Sequence, residues 1–246
     1  AIFTNVLGSK NLADLAIKHK VERFVLISTD KAVNPSNIMG ASKRIAEKYV
    51  QSLSIYLDQM GESSTKFITT RFGNVLGSNG SVVPLFTKQI NAGGPITITH
   101  PDIIRYFMTI PEACQLVLEA GAMGKGSEIF IFDMGEPVRI IDLAYKMIKL
   151  AGYIPEEDIK IEVVGLRPGE KLFEELLTDA STTLPTHHQK IMIAKDITEN
   201  YISLNEDILE LINLANENKS DALVIKMKHI VPEFISLNSK FEKFDN

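Results

Sequence analysis

Two short runs of apolar, largely β-branched residues constrain this chain most: Arg23-Phe24-Val25-Leu26-Ile27-Ser28 and Lys66-Phe67-Ile68-Thr69-Thr70-Arg71-Phe72. Short apolar runs bounded by polar residues read as buried strands of a parallel sheet. Each follows a helical stretch. Residues 1–20 carry an apolar stripe (Val6, Leu7, Leu12, Leu15, Ala16, Ile17) that ends at Lys18-His19-Lys20. Met39 to Leu57 is the second helix, closed by Gly61. Helix, strand, helix, strand with short links is the alternation that builds a parallel sheet covered by helices. The expected fold class is therefore α/β.

Beyond Gly73 the texture loosens. Gly73, Gly77, Gly80, Gly93 and Gly94 punctuate a stretch with one amphipathic segment, Val82–Asn91. Short β-like pieces are expected at 96–99 and 105–109, and a helix from Pro111-Glu112, where the missing proline N–H would have no partner anyway. A strand at 128–132, a helix at 138–150, a strand at 159–164, a helix at 170–177 and a strand at 190–194 follow, with a helical tail from Ser203. The change of texture places a boundary near Gly73–Gly80.

With 246 residues, 45% hydrophobic and 23% charged, the chain is neither disordered nor fibrous. A net charge of −5 argues against nucleic-acid binding. The single cysteine, Cys114, builds neither an internal disulfide nor a thiolate cage, and reads as a small core residue. His187 and His188 are adjacent on an extended segment, so they point to opposite faces, and no metal site is expected. Lys226, Lys228 and His229 read as a solvated helical face. No apolar run has bilayer length and no signal peptide opens the chain, so the segment is expected in the cytoplasm. The chain opens Ala1-Ile2-Phe3 with a helical pattern already under way and no cap ahead of it. It is expected to be the downstream part of something longer.

The densest polar cluster, Ser28-Thr29-Asp30-Lys31, follows the first strand. Ligands of doubly wound sheets bind beyond the carboxyl ends of the strands, although a hydrophilic loop with an ordinary Asp turn has the same composition. Met39 and Lys43 share a face of the next helix. Lys43 near that helix start can donate to ribose hydroxyls, or simply pair with Glu47 one turn on.

Three further stretches join this cluster in order. Val25-Leu26-Ile27-Ser28-Thr29-Asp30-Lys31-Ala32-Val33-Asn34-Pro35, Met39-Gly40-Ala41-Ser42-Lys43-Arg44 and Arg71-Phe72-Gly73-Asn74-Val75-Leu76-Gly77-Ser78 are followed by residues 101–113, 132–138 and 165–176. In this series the chain resembles the extended short-chain dehydrogenase/reductases. Within them it is similar to the nucleotide-sugar 4,6-dehydratases of bacterial polysaccharide biosynthesis, UDP-N-acetylglucosamine 4,6-dehydratases in particular. The likeness runs to about residue 195, and no motif follows it.

The resemblance implies the C-terminal part of a Rossmann-type parallel sheet with helices on both faces, plus a smaller α/β substrate-binding portion. Residues 1–76 would be the second half of the NAD-binding domain and 77–246 the substrate region, with 103–135 packing back on the sheet. It also implies a reaction. Hydride passes from C4 of the sugar to a tightly held NAD, water is eliminated across C5–C6, and hydride returns to C6. Asp30 would protonate the departing C6 hydroxyl, Lys31 would take the C5 proton, and Thr29 would bond the C4 hydroxyl. For that task Lys31 must be neutral, through burial or a nearby cation such as Lys43. Ser28, Lys43 and Phe72 are expected at the cofactor. Asn74, Arg105 and Arg167 match positions that hold the nucleotide diphosphate, with Glu170 beside them at the start of the expected 170–177 helix. Pro84 and Thr97 lie where uracil and ribose are cradled. Asn5 matches an Asn near the active centre, or is a helix residue bonded to a neighbouring loop. Arg71 reads as structural.

One position departs from the superfamily pattern. Met39 stands where Tyr-x-x-x-Lys has its tyrosine, and a thioether takes no proton. Either the base is lost and the module is silent, or the C4 proton leaves through Thr29, Asp30 or water. Met at this slot is typical of the large, membrane-anchored dehydratases of the resembled group. No G-x-x-G-x-x-G phosphate turn occurs in the sequence. The chain is therefore expected to lack the strands that bind the adenosine and pyrophosphate of NAD, and to be inactive alone. A UDP-sugar substrate, a homo-oligomer and a parent protein anchored at the inner face of the cell membrane are the remaining expectations. A C4 or C5 epimerase and a silent nucleotide-sugar-binding fragment are the alternatives.

Overall fold

The computed structural model describes residues 1–62, 64–175 and 182–245. The chain divides into two compact units. The first comprises Ala1–Phe72, Leu116–Asp133 and Glu175–Asn246; the second comprises Gly73–Gln115 and Met134–Glu174.

The first unit opens with a π-helical segment, Ile2–Leu7, that runs into α1, Gly8–Lys18. On α1 the buried residues are Ala13 and Ala16, while Leu12 and Leu15 of the expected stripe are exposed. β1 (Arg23–Thr29), the long helix α2 (Ile38–Met60) and β2 (Lys66–Phe72) follow. Asn37 caps α2 by accepting from the Gly40 N–H at 2.9 Å, and Gly61 closes it in the left-handed conformation. β1 and β2 are parallel and in register from Arg23–Lys66 to Thr29–Phe72, which brings both carboxyl ends to one edge.

β7 (Ile129–Phe132) extends the sheet in parallel beside β2. Two more strands, β10 (Thr183–Pro185) and β11 (Ile191–Ala194), complete the order β1-β2-β7-β11-β10. β11 runs antiparallel to β7, and β10 antiparallel to β11. The sheet is thus parallel through its first three strands and turns back at one edge, where a short link from β10 permits a hairpin. The tail forms α6 (Tyr201–Asn216) and α7 (Ser220–Ile230). Their Leu204, Ile208, Leu211, Met227 and Ile230 join Ile2, Val6, Tyr49, Leu53 and Phe67 in one core.

The second unit holds β3 (Asn74–Val75), α3 (Val82–Asn91), β4 (Ile96–Ile98), β5 (Ile104–Arg105) and β6 (Phe107–Met108). After α4 (Ile110–Met123), which passes into the first unit beyond Gln115, come β8 (Val138–Arg139), α5 (Ile140–Leu150) and β9 (Ile161–Val163). The strands pair two by two: β3 with β6, β4 with β9, β5 with β8. Phe86, Ile90, Ile96, Ile98, Ile140, Ile148 and Ile159 form its core.

Several expectations change. The first boundary falls after Phe72; the chain returns to the sheet unit at 116–133, inside the 103–135 stretch expected to pack back, and again from Glu175, which was not expected. The helix expected at 170–177 does not form over 170–175, and residues 176 and 177 lie outside the described residues. A turn at Pro168-Gly169 precedes this stretch, and its Lys171 and Leu172 carbonyls are taken by Arg105 rather than by helical N–H groups. Cys114 is exposed on α4 rather than buried. Lys226 pairs with Asp207, and Lys228 donates to the Phe234 carbonyl, so these lysines join elements instead of facing solvent.

Candidate active site

Thr29 ends β1 in extended conformation and starts a 3-10 turn, Asp30–Ala32. Asp30 is 2% exposed. Its Oδ1 accepts from the Thr29 hydroxyl at 2.8 Å and from the Lys31 ammonium at 2.8 Å. Its Oδ2 is buried with no hydrogen-bond partner in the structure. A buried carboxylate oxygen left bare is costly unless something fills it, which marks this oxygen as a place for a ligand donor. The Lys31 side chain keeps 25% of its surface. Ser28, one residue before Thr29, is buried, with its hydroxyl near Glu47 in a contact looser than a hydrogen bond.

The turn is fixed from α2. A Cβ on Gly40 would stand 2.1 Å from the Lys31 carbonyl oxygen and 3.2 Å from the Pro35 Cβ, so only glycine allows the helix this close. Met39 is 42% exposed, and its carbonyl accepts from Ser42 Oγ at 2.8 Å. Ser42 Oγ in turn accepts from Asn5 Nδ2 at 2.9 Å. Asn5 therefore does bond a neighbouring element, from a π-helical segment of the kind that recurs at functional sites. Lys43 is half-buried and donates to the Ile27 carbonyl at 3.1 Å. Burial pushes its pKa below the usual lysine range, against the pull of the Glu47 carboxylate.

Glu47 is not the partner of Lys43 in an ion pair. It is fully buried and receives Arg71 Nε at 2.9 Å and Nη2 at 2.5 Å, with Arg44 Nη1 at 3.2 Å. Burial raises the pKa of such a carboxyl, but Arg71 and Arg44 outweigh it and hold Glu47 below its ordinary range. Arg44 also grips Asp196 with two bonds, 2.6 and 2.7 Å, and Glu233 at 3.0 Å. Arg71 is structural, as its sequence context indicates. This seam lines a cleft of about 540 Å³, but Arg44, Lys48 and Arg71 are all paired within the chain. Phe72, at the end of β2, stacks on Phe132 with centroids 5.4 Å apart.

In the second unit, Asn74 lies in β3, where its side-chain amide donates to the Tyr106 carbonyl at 3.1 Å. Pro84 is exposed in the first turn of α3. Thr97 Oγ1 accepts from Gln89 at 2.8 Å. Arg105 corrects an expectation. Its guanidinium donates to the carbonyls of Ile104 (2.6 Å), Lys171 (2.8 Å) and Leu172 (3.3 Å), and pairs with Glu170 (3.4 Å) and Glu174 (3.5 Å). A fork with its nitrogens so committed straps its own unit in this structure and presents no bare donor to a diphosphate. Glu170 also accepts from Thr99 at 3.2 Å and from the Arg167 N–H at 3.0 Å. The Arg167 guanidinium is exposed and meets no partner among the described residues.

Gly40 and the Arg44–Glu47–Arg71–Asp196 seam were not singled out from the sequence. Glycine in the first turn of a helix, where it costs helix stability, was the available signal for the first. No His, Cys, Asp and Glu cluster suited to a metal occurs among the described residues, and no helix there is long and apolar enough to cross a membrane.

Residues 1–196 match the family described as polysaccharide biosynthesis protein. The capsular polysaccharide biosynthesis protein CapD of Staphylococcus aureus is 53% identical over 221 residues, 89% of this chain and 36% of that protein. A UDP-glucose 4-epimerase of Rickettsia akari (strain Hartford) is 40% identical over 179 residues, 72% of this chain and 50% of its own length. Among solved structures, Pen from Bacillus thuringiensis is 38% identical, with a TM-score of 0.71 over 79% of this chain and 59% of that one. A dTDP-glucose 4,6-dehydratase of Bacillus anthracis in complex with NAD shares the fold, at 19% identity and a TM-score of 0.57 over 67% of this chain and 57% of that one. This chain spans 36 to 59% of the lengths of these proteins. The match over residues 1–196 makes the chain a member of the polysaccharide biosynthesis protein family.

Proposed function

We propose that the protein carrying this chain dehydrates a UDP-N-acetylhexosamine, UDP-N-acetylglucosamine first, to a 4-keto-6-deoxy sugar nucleotide for bacterial polysaccharide, with NAD as cofactor. The observation that carries this is the buried Asp30 carboxylate, one oxygen held by Thr29 and Lys31 and the other bare. Epimerisation at C4 needs hydride to leave and return at one carbon. Elimination across C5–C6 needs in addition a base and an acid, and the Asp30–Lys31 couple is both.

The protons of the elimination balance within that couple. Transfer from Lys31 Nζ to the carboxyl along the 2.8 Å contact gives a neutral amine and a neutral acid. The amine takes the C5 proton, the acid gives its proton to the departing C6 hydroxyl, and the C5=C6 double bond forms as water leaves. The couple then stands again as an ion pair. The ammonium later returns its proton to C5 as C6 is reduced, and the proton lost from the C4 hydroxyl, passed through Thr29 or water, restores the pair. The chemistry NAD supplies when bound is oxidation at C4, which acidifies the C5 hydrogen, and the hydride that later reduces C6. Lys43 would hold the cofactor ribose, Thr29 the C4 hydroxyl, and the bare Oδ2 of Asp30 a sugar hydroxyl. With Arg105 committed, Arg167 is the guanidinium left for the diphosphate, and Asn74, Pro84 and Thr97 would line the nucleoside.

The test is to incubate the intact protein with UDP-N-acetylglucosamine and follow the sugar by NMR. A 4-keto-6-deoxy product is expected. A sugar changed only at C4 would instead make it an epimerase, as its relative in Rickettsia akari is named. Binding of UDP-sugar without turnover would leave a silent module.

A further inference from the structure

We propose that the C-terminal tail, residues 196–245, is a positioning element that holds the Asp30–Lys31 turn in place; this rests on the dehydratase reading of that turn. The family match ends at residue 196, so nearly all of this segment lies beyond it. Its end nevertheless reaches the loop between the catalytic turn and α2. The Ile235 N–H donates to the Pro35 carbonyl at 3.1 Å, and the Leu237 N–H to the Ser36 carbonyl at 3.3 Å. Pro35 and Ser36 are buried, and buried carbonyls need partners. Pro35 and the Lys31 carbonyl are also the two groups that Gly40 approaches. The turn and its loop are thus held by α2 and by the tail together.

The tail is itself tied down so that it can present those two N–H groups. Lys228 donates to the Phe234 carbonyl and to Ser236 Oγ, each at 3.0 Å, and pairs with Asp245. The Asp245 carboxylate receives the Ser236 N–H at 3.0 and 3.1 Å. Arg44 on α2 holds the segment at its first residue, Asp196, and at Glu233, just ahead of the two donors. The side chains of Ile235 and Leu237 contribute little packing, because they are 58% and 37% exposed. Their backbone donors are what the loop uses.

Proline removes such a donor, whereas alanine keeps it. In the intact protein, Ile235→Pro should lower kcat about tenfold or more with KM for UDP-N-acetylglucosamine within about twofold, while Ile235→Ala stays near wild type. Amide hydrogen exchange over residues 30–37 should speed up in Ile235→Pro and not in Ile235→Ala. Leu237→Pro should repeat both effects, and it decides the matter if Ile235→Pro does not fold. Unchanged kcat and unchanged exchange in a folded proline variant would overturn the proposal. If the wild-type protein forms no dehydrated product, the dehydratase reading fails, and the exchange measurement still decides whether the tail holds the turn.

Discussion

At Gly40 the close approach of α2 to the proposed acid–base turn depends on a missing methyl group. A Cβ there would meet the Lys31 carbonyl oxygen at 2.1 Å, and backbone cannot yield as a flexible side chain does. Gly40→Ala should therefore push the turn away from α2, at an overpacking cost of about 1–3 kcal/mol. Its kcat should fall about a hundredfold, because a displacement near 1 Å at reacting groups costs that much. UDP binding should change little, since the residues proposed to hold the nucleotide, Asn74 and Arg167, belong to the other unit. Thermal denaturation and steady-state kinetics check both, and wild-type kcat in Gly40→Ala would refute the contact. The Ser28–Lys31 cluster was legible in the sequence as a strand-end crowd of polar groups, but an ordinary turn has the same composition, and the roles proposed for Asp30 and Lys31 come from the resemblance. The work of Gly40 was not legible, because it is a distance between two elements. Arg105 misled for a related reason: an arginine's partners are set by which carbonyls the fold brings near.

At the scale of elements, α2 connects the catalytic turn to the tail. Residues Arg44, Glu47 and Lys48 are charged and buried together, which amphipathic periodicity alone would assign to solvent. Their partners come from β2 and from residues 196, 199 and 233, far away in sequence, so no local pattern could show the seam. The seam implies a definite acid response. Glu47 is buried and Asp196 partly so, and their arginine partners hold both below the ordinary carboxylate range. The unfolded chain, with pKa values of about 4, takes up protons first as pH falls. The stabilisation is therefore complete above about pH 5 and is lost as pH drops through 4 toward the folded pKa values. Asp196→Asn should melt lower than wild type at neutral pH and lose less between about pH 5 and pH 3. Parallel melting curves for the two proteins across that range would show that Asp196 carries none of it.

For the molecule as a whole, the alternation of helices and strands through residue 72 was readable because periodicity and strand runs are local. The α/β class followed from it. The return of 116–133 was expected only through the family resemblance, within 103–135, and the return of the tail was not readable, since it depends on how distant segments close on one core. Over 170–175 the expected helix does not form for the same reason: Arg105 takes the Lys171 and Leu172 carbonyls. The proposed reaction turns on removal of the C5 proton by the Asp30–Lys31 couple. Its most direct test is deuterium incorporation at C5 when the intact protein meets UDP-N-acetylglucosamine in D2O, with wild type and Lys31→Ala compared. Wild type should place deuterium at C5 and yield the 4-keto-6-deoxy sugar, while Lys31→Ala does neither and still binds UDP. Normal C5 exchange in Lys31→Ala would contradict the role given to the Asp30–Lys31 couple.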